Sequence, residues 1–149
     1  MNFEFSAQVS KVLRDSGWYH GRKVDIAHYL SAWRQAGYSP KGRVLEFTAS
    51  FAGLKIVHDG YKIGISESVF DPLLALNTAA PARVKEDYSV WAGCHLTPVG
   101  VAYSEHMTYC MAENGALYGG FDDYFCIIGE SAEEAFENVF FRKSFLQIS

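Results

Sequence analysis

Long apolar runs are absent from this 149-residue chain. No stretch approaches the roughly 18 apolar residues that a membrane-crossing helix needs, so no membrane partner is expected. The opening Met1-Asn2-Phe3-Glu4-Phe5 lacks the basic and then apolar pattern of a secretory signal. Cysteine is scarce and odd in number: Cys94, Cys110 and Cys126 stand sixteen apart, with no Cys-x-x-Cys pair. That spacing makes neither a disulfide framework nor a structural zinc site, which wants close ligand pairs. The expectation is a soluble, reduced, cytoplasmic protein with no metal and no cofactor. Positive charge is short as well: 13 Lys+Arg stand against 17 Asp+Glu, a net of −4. A nucleic-acid binder must neutralise phosphates and normally shows the opposite balance, so direct nucleic-acid binding is not expected. Charged residues are only 20% of the chain and hydrophobic ones 49%, which excludes disorder.

What is present is apolar bulk. A 16.6 kDa chain should expose about 7,600 Å² folded against roughly 24,000 Å² unfolded, burying about two-thirds of its surface. One domain spanning residues 1–149 is expected. The 11 Phe, 9 Tyr and 3 Trp imply a core of large flat side chains, with some left for a surface. Charge is unevenly placed. Residues 1–103 carry 11 Lys+Arg and 9 Asp+Glu, a net of +2, while residues 104–149 carry 2 and 8, a net of −6.

Periodicity places the elements. Phe5, Val9, Val12 and Leu13 fall on one helical stripe, closed by Gly17. A second helix is expected from an Asp25 cap, with Ile26, Tyr29, Leu30 and Trp33 inward and Gly37 at its end. A third is expected from Ser39-Pro40, with Val44, Phe47, Thr48 and Phe51 on one face and Gly53 ending it. Two β-prone runs, Leu54 to His58 and Tyr61 to Ser66, flank Asp59-Gly60, a hairpin signal in which Gly60 would supply positive φ. Residues 67–82 read as irregular. Val84, Tyr88 and Trp91 suggest a short fourth helix. Strands are expected at Cys94 to Tyr103, Met107 to Ala112, Ala116 to Tyr118 and Tyr124 to Ile128, with a turn at Asn114-Gly115. Ser131-Ala132-Glu133-Glu134 is a capping box opening a last helix on Ala135, Phe136, Val139 and Phe140. The class is therefore α+β: an antiparallel or mixed sheet of about six strands, with N-terminal helices and one C-terminal helix packed on it.

No pattern carries catalysis. The Gly-x-Ser-x-Gly elbow, the phosphate-binding Gly-x-x-x-x-Gly-Lys-Ser/Thr loop and the zinc-deaminase signature are all missing. The three thiols read as small core residues on strands. A nucleophile pairing any of the three thiols with one of His20, His28, His58, His95 and His106 stays arithmetically open, with an enzyme on Cys94 or Cys110 as the form to test, but nothing local marks one thiol. Gly17-Trp18-Tyr19-His20-Gly21-Arg22 has two readings. One is a helix-to-helix turn with Trp18 as a plug and Arg22 on a carboxylate or helix carbonyl. The other is a ligand site.

Several segments, taken in order, form a pattern. Gly17-Trp18 and Gly21-Arg22 with Val24-Asp25 precede a helix ending in Ala36-Gly37. Phe51-Ala52-Gly53-Leu54, Phe70-Asp71-Pro72 and Leu96-Thr97-Pro98-Val99-Gly100 follow. Asn114-Gly115-Ala116-Leu117-Tyr118, Ile128-Gly129 and the Ser131 helix complete it. This series resembles the SUKH superfamily, specifically its third immunity-protein family, from about residue 5 to residue 140. Ala52 departs from the second Gly that members tend to carry, and Phe140-Phe141 with Phe145 looks particular to this chain. The resemblance implies helices on an antiparallel or mixed sheet. It also implies an immunity protein, not an enzyme, that binds a cognate bacterial polymorphic or contact-dependent toxin domain, often nucleic-acid-directed, and acts by occlusion.

A nucleic-acid-cleaving toxin presents a basic cleft, and an acidic surface can fill it and speed association. The −6 segment offers Glu113, Asp122, Asp123, Glu130, Glu133 and Glu137. Glu134 is set aside for the capping box. Tyr118, Phe121 and Tyr124 flank the two aspartates and could supply aromatic anchors. A competing reading gives Glu130, Glu133 and Glu134 only the task of stabilising a helix dipole. An interaction module without a toxin, a small Cys/His enzyme and a pocket on the sheet face remain as alternatives, and oligomeric state is open.

Overall fold

The apolar stripes that close on glycine fold as helices. The chain is described from a computed structural model over residues 3–60 and 63–149. Helices α1 (Ala7–Asp15), α2 (Ala27–Gln35) and α3 (Arg43–Phe51) come first, then strands β1 (Lys55–Asp59) and β2 (Ile65–Val69). Helix α4 (Pro72–Thr78) follows, and a π-helical turn (Arg83–Tyr88) runs into α5 (Ser89–Ala92). Strands β3 (Leu96–Ala102), β4 (Met107–Ala112), β5 (Leu117–Phe121) and β6 (Tyr124–Gly129) precede α6 (Ala132–Phe140) and the short β7 (Leu146–Gln147). The seven strands make one sheet in chain order, each pair antiparallel. The fold is α+β, with one short strand more than the periodicity indicates.

Several boundaries differ from expectation, each for a local reason. Helix α3 starts after Gly42, not at Ser39-Pro40. Its first amide, Arg43 N–H, donates to the Glu113 carbonyl at 3.0 Å. Gly42 (φ +62) allows that approach, since a Cβ there would lie 2.7 Å from the same oxygen. Asp25 does not cap α2 directly; its carboxylate accepts from Ala27 N–H, one residue after the cap position. Residues 67–82 are not irregular. β2 extends to Val69, and Asp71 caps α4 over Pro72 in the first turn. The β1–β2 turn is longer than two residues: Gly60 N–H donates to the Gly64 carbonyl, and Gly64, not Gly60, has positive φ. Tyr61 and Lys62 of the expected second strand lie outside the described residues.

Proline inside a fully buried strand is explained by a bulge. The β3–β4 register shifts between Pro98 and Gly100. Pro98 has no N–H to give the ladder, and a bulge is where a strand tolerates that. Its carbonyl is not wasted, because Trp33 Nε1–H of α2 donates to it at 2.9 Å.

The middle of the sheet is covered on both faces. Tyr109, Gly119 and Cys126 share one face by register. There Phe70 stacks on Tyr109 at 5.3 Å, and Phe47, Phe51 and Phe136 close round Phe70. The other face carries Tyr118 and Phe125, with Tyr88 of the π-helical turn stacked on Phe125 at 4.9 Å. A side chain at Gly120 would collide with that Tyr88 ring.

The Gly17–Arg22 segment clamps the end of α3. Trp18 stacks on Phe51 and donates from Nε1 to the Ser50 hydroxyl at 3.0 Å. The Arg22 guanidinium donates to the Ser50 carbonyl at 2.7 Å and the Ala52 carbonyl at 2.8 Å. Those are orphan carbonyls of a helix C-terminus, where a cation also suits the dipole.

A buried polar chain ties β1 to β4. His58 Nδ1 lies 2.7 Å from the Asp59 carbonyl, His58 Nε2 2.7 Å from Ser68 Oγ, and Ser68 Oγ 2.7 Å from Tyr109 Oη. A carbonyl only accepts, so Nδ1 carries the proton of a neutral ring. Nε2 then accepts from Ser68, which accepts from Tyr109. Burial lowers the His58 pKa below its ordinary value.

Two outcomes follow. Arg22→Ala should cost about 2 kcal/mol, or roughly 4–8 °C in melting temperature, measured by thermal unfolding. An unchanged melting temperature would remove the clamp from the stability account. For His58 the neutral form is favoured on folding, so its contribution is complete above pH 6.5 and lost as pH falls below that value. Denaturant midpoints from pH 8 to pH 5 should therefore drop more steeply in the parent than in His58→Gln. Parallel curves would show that His58 titrates as in the unfolded chain.

Candidate partner-binding surface

A meander of antiparallel strands sends successive turns to opposite ends of its sheet. The carboxylates of the last third are divided accordingly. Glu113 in the β4–β5 turn, Glu130 after β6 and Glu133 in the first turn of α6 sit at one end. Asp122 and Asp123 form the β5–β6 turn at the other end. The five residues of β5, at about 3.4 Å each, hold the two groups about 15 Å apart. No single acidic patch joins them.

At the first end the carboxylates serve structure as well as surface. Ser131 Oγ accepts from Glu134 N–H at 3.2 Å, the Ser half of the capping box. Glu133 Oε2 accepts from Glu4 N–H at 3.3 Å. Glu130 is exposed on the rim of a cleft of about 430 Å³ that Arg43, Phe47 and Met111 also line. Glu137, farther along α6, is half-buried and pairs with Lys143 at 3.7 Å.

The second end is built differently. An apolar cleft of about 330 Å³ is lined by Tyr103, His106, Met107, Phe121, Tyr124 and Phe145. Phe121 is 46% exposed, and His106 meets it edge-on at 6.1 Å. Asp122 and Asp123 stand at the end of the same hairpin, and Glu105 in the neighbouring β3–β4 turn. The Asp122 carbonyl accepts from Tyr88 Oη at 2.9 Å and the Asp123 carbonyl from Ser149 Oγ at 3.0 Å, so the turn is anchored. Asp123 pairs with Arg83 at 3.2 Å yet remains 93% exposed at its side chain.

The aromatic expectation needs one correction. Tyr118 is only 8% exposed and stacks on Phe125 at 5.3 Å, so it belongs to the core and is not a surface anchor. Phe121 is exposed and Tyr124 half-buried. Residue type alone does not separate them; direct pairing of Tyr118 with Ile127 fixes its face.

Glu105 is the residue that motif reading misses. Tyr103, Ser104 and Glu105 all have positive φ, at 54°, 57° and 65°. None is Gly or Asn, so no turn signal marks them. Left-handed non-glycine residues cost about 1–3 kcal/mol each and gather at functional sites. Asp122 (φ 49°) repeats the feature in the adjacent turn.

The three thiols differ in their surroundings. Cys110 and Cys126 are buried, and burial pushes their thiols up to about 12 and about 11. Cys94, expected in the core, is exposed and precedes β3. Among the described residues no three His, Cys, Asp or Glu gather as a metal set. No helix of the described chain is long and apolar enough to cross a membrane. A thiol reagent at neutral pH should therefore modify one cysteine in the native protein and three after unfolding. Rapid native modification of Cys110 would restore the thiolate-enzyme reading.

No curated protein and no solved structure matches the chain. The model of one family, described as SUKH-3 immunity protein, matches residues 5–140, from the segment before α1 to the last residue of α6. With nearly all of its length so matched, the chain belongs to the SUKH-3 immunity protein family.

Proposed function

We propose that this protein neutralises a cognate toxin domain in the cytoplasm by covering its working surface, without chemistry of its own. One observation supports the choice of surface: an apolar cleft beside Phe121 shares an end of the sheet with Glu105, Asp122 and Asp123. An apolar centre with a charged rim is the anatomy of a specific protein interface. A toxin that cleaves nucleic acid needs a basic cleft, and three carboxylates on two adjacent turns complement it. The rim speeds encounter, and the buried centre slows release.

Strain and anchoring agree with that task. Four left-handed non-glycine residues are held in two adjacent turns, and Tyr88 and Ser149 bond one of these turns from outside it. A turn fixed before binding loses little entropy on contact. The carboxylates at the opposite end, Glu113, Glu130 and Glu133, are assigned to folding and solvation in this reading.

Co-purification with the product of the neighbouring toxin gene, and loss of that toxin's activity in the complex, test the reading. Within the complex, Asp122→Asn with Asp123→Asn should weaken binding about tenfold and flatten its salt dependence. Phe121→Ala should cost about 2 kcal/mol of binding energy. Melting temperatures should change little, because all three side chains are exposed. Unaltered affinity in both variants would move the interface elsewhere.

A further inference from the structure

The β1 edge of the sheet is unpaired among the described residues, and it is self-complementary. Among the described residues no strand pairs with β1 on the side away from β2. Leu54 lies opposite Phe70 and Gly60 opposite Gly64, and each of these pairs carries a backbone hydrogen bond. Bonded pairs alternate along an antiparallel ladder. Leu54, Ile56, His58 and Gly60 therefore spend their backbone groups on β2. Lys55, Val57 and Asp59 turn theirs outward.

The side chains of those three residues share the face opposite the core. The burial pattern of β1 alternates, with Ile56 and His58 inward. Val57 is 56% exposed, and Ile65, opposite Asp59 on β2, is 76% exposed. Charges sit symmetrically about the centre, with Lys55 two residues before Val57 and Asp59 two after it.

We propose that β1 pairs antiparallel with β1 of a second copy of this chain, about a two-fold axis at Val57. That register sets Val57 against Val57 and each Lys55 against Asp59 of the second copy. It also joins outward backbone groups to outward backbone groups. Two bonds form between the Val57 residues, and each Asp59 N–H donates to a Lys55 carbonyl. The Asp59 carbonyl already accepts from His58 Nδ1 and keeps a second lone pair for Lys55 N–H. Shifting the register by two residues either way breaks both charge pairs, so charge selects this one. The competing partners of Lys55 and Asp59 within the chain are loose, Glu67 and Arg142 each at 3.9 Å. The pairing closes on itself: each copy has one such edge, and β7 at the other edge is only 2 residues long. A seam of 5-residue strands is small, so the dimer is weak and reversible.

Sedimentation of the full chain alone, from about 1 µM to about 1 mM, tests this across the range of weak association. A reversible shift from 16.6 kDa toward twice that mass is expected. Lys55→Asp and Asp59→Lys should each raise the dissociation constant about tenfold, by setting like charges across the seam twice. Combining them should restore the parent value, which a misfolded variant could not do. Val57→Pro should abolish the dimer while far-UV circular dichroism stays native, because that N–H faces away from β2. A monomer at every concentration, or a dimer indifferent to the charge swaps, overturns the proposal. So does a monomer whose toxin binding is lost in Val57→Pro, since the edge would then receive the toxin and not a second copy.

Discussion

Every residue of β3 and β4 is buried, so the middle of this sheet has no wet face. An antiparallel sheet more often leaves one side to solvent. Here both sides must be roofed, and the order of elements follows from that need. Phe47 and Phe51 of α3 and Phe136 of α6 cover one side, while Tyr88 of the π-helical turn closes the other. Side chains that meet a roof cannot also meet a partner. Binding is left to the turns at the two ends and to the outer strands.

The roof also shapes the turns. Tyr88 packs its ring over Gly120 and Phe125 and sends its hydroxyl to the Asp122 carbonyl. One side chain thus fills the core and pins a solvent-facing turn. The left-handed Asp122 of the β5–β6 turn is held in place by that bond. Strain of this size persists where surroundings over-determine the backbone.

Much of this architecture was legible in the residues. Ser131 with Glu134 marks the start of α6, Asn114-Gly115 marks a hairpin, and Gly17, Gly37 and Gly53 mark helix ends, because each depends on local chemistry. Leu96-Thr97-Pro98-Val99-Gly100 stands out in sequence, but its meaning needs the strand beside it. The bulge and the Trp33 bond are tertiary facts. The start of α3 departs from the Ser39-Pro40 signal for the same reason, since a carbonyl 70 residues away, that of Glu113, takes the place of a Ser39 cap. Charge counting located the acidity in the last third but not in space. Strand reversal sends neighbours in sequence, such as Glu113 and Asp122, to opposite ends. Glu105 stayed hidden because three side-chain-bearing residues occupy φ values that usually call for glycine.

The end surface and the β1 edge are compatible in one molecule. An antiparallel seam between two copies reverses strand direction across it. The Phe121 end of one copy then lies beside the Glu113 end of the other, and the two clefts face away from each other. Dimerisation would leave both clefts open and set two of them on one continuous sheet. Weak pairing suits this arrangement. Binding at the clefts draws nothing from the seam, so a monomer and a dimer present the same contact to a toxin. A tight obligate dimer would need a larger apolar seam than Val57 and Ile65 provide, and such a patch on a free monomer would invite aggregation. The Lys55 and Asp59 charges resolve that conflict, since they favour one register with a second copy and oppose the others.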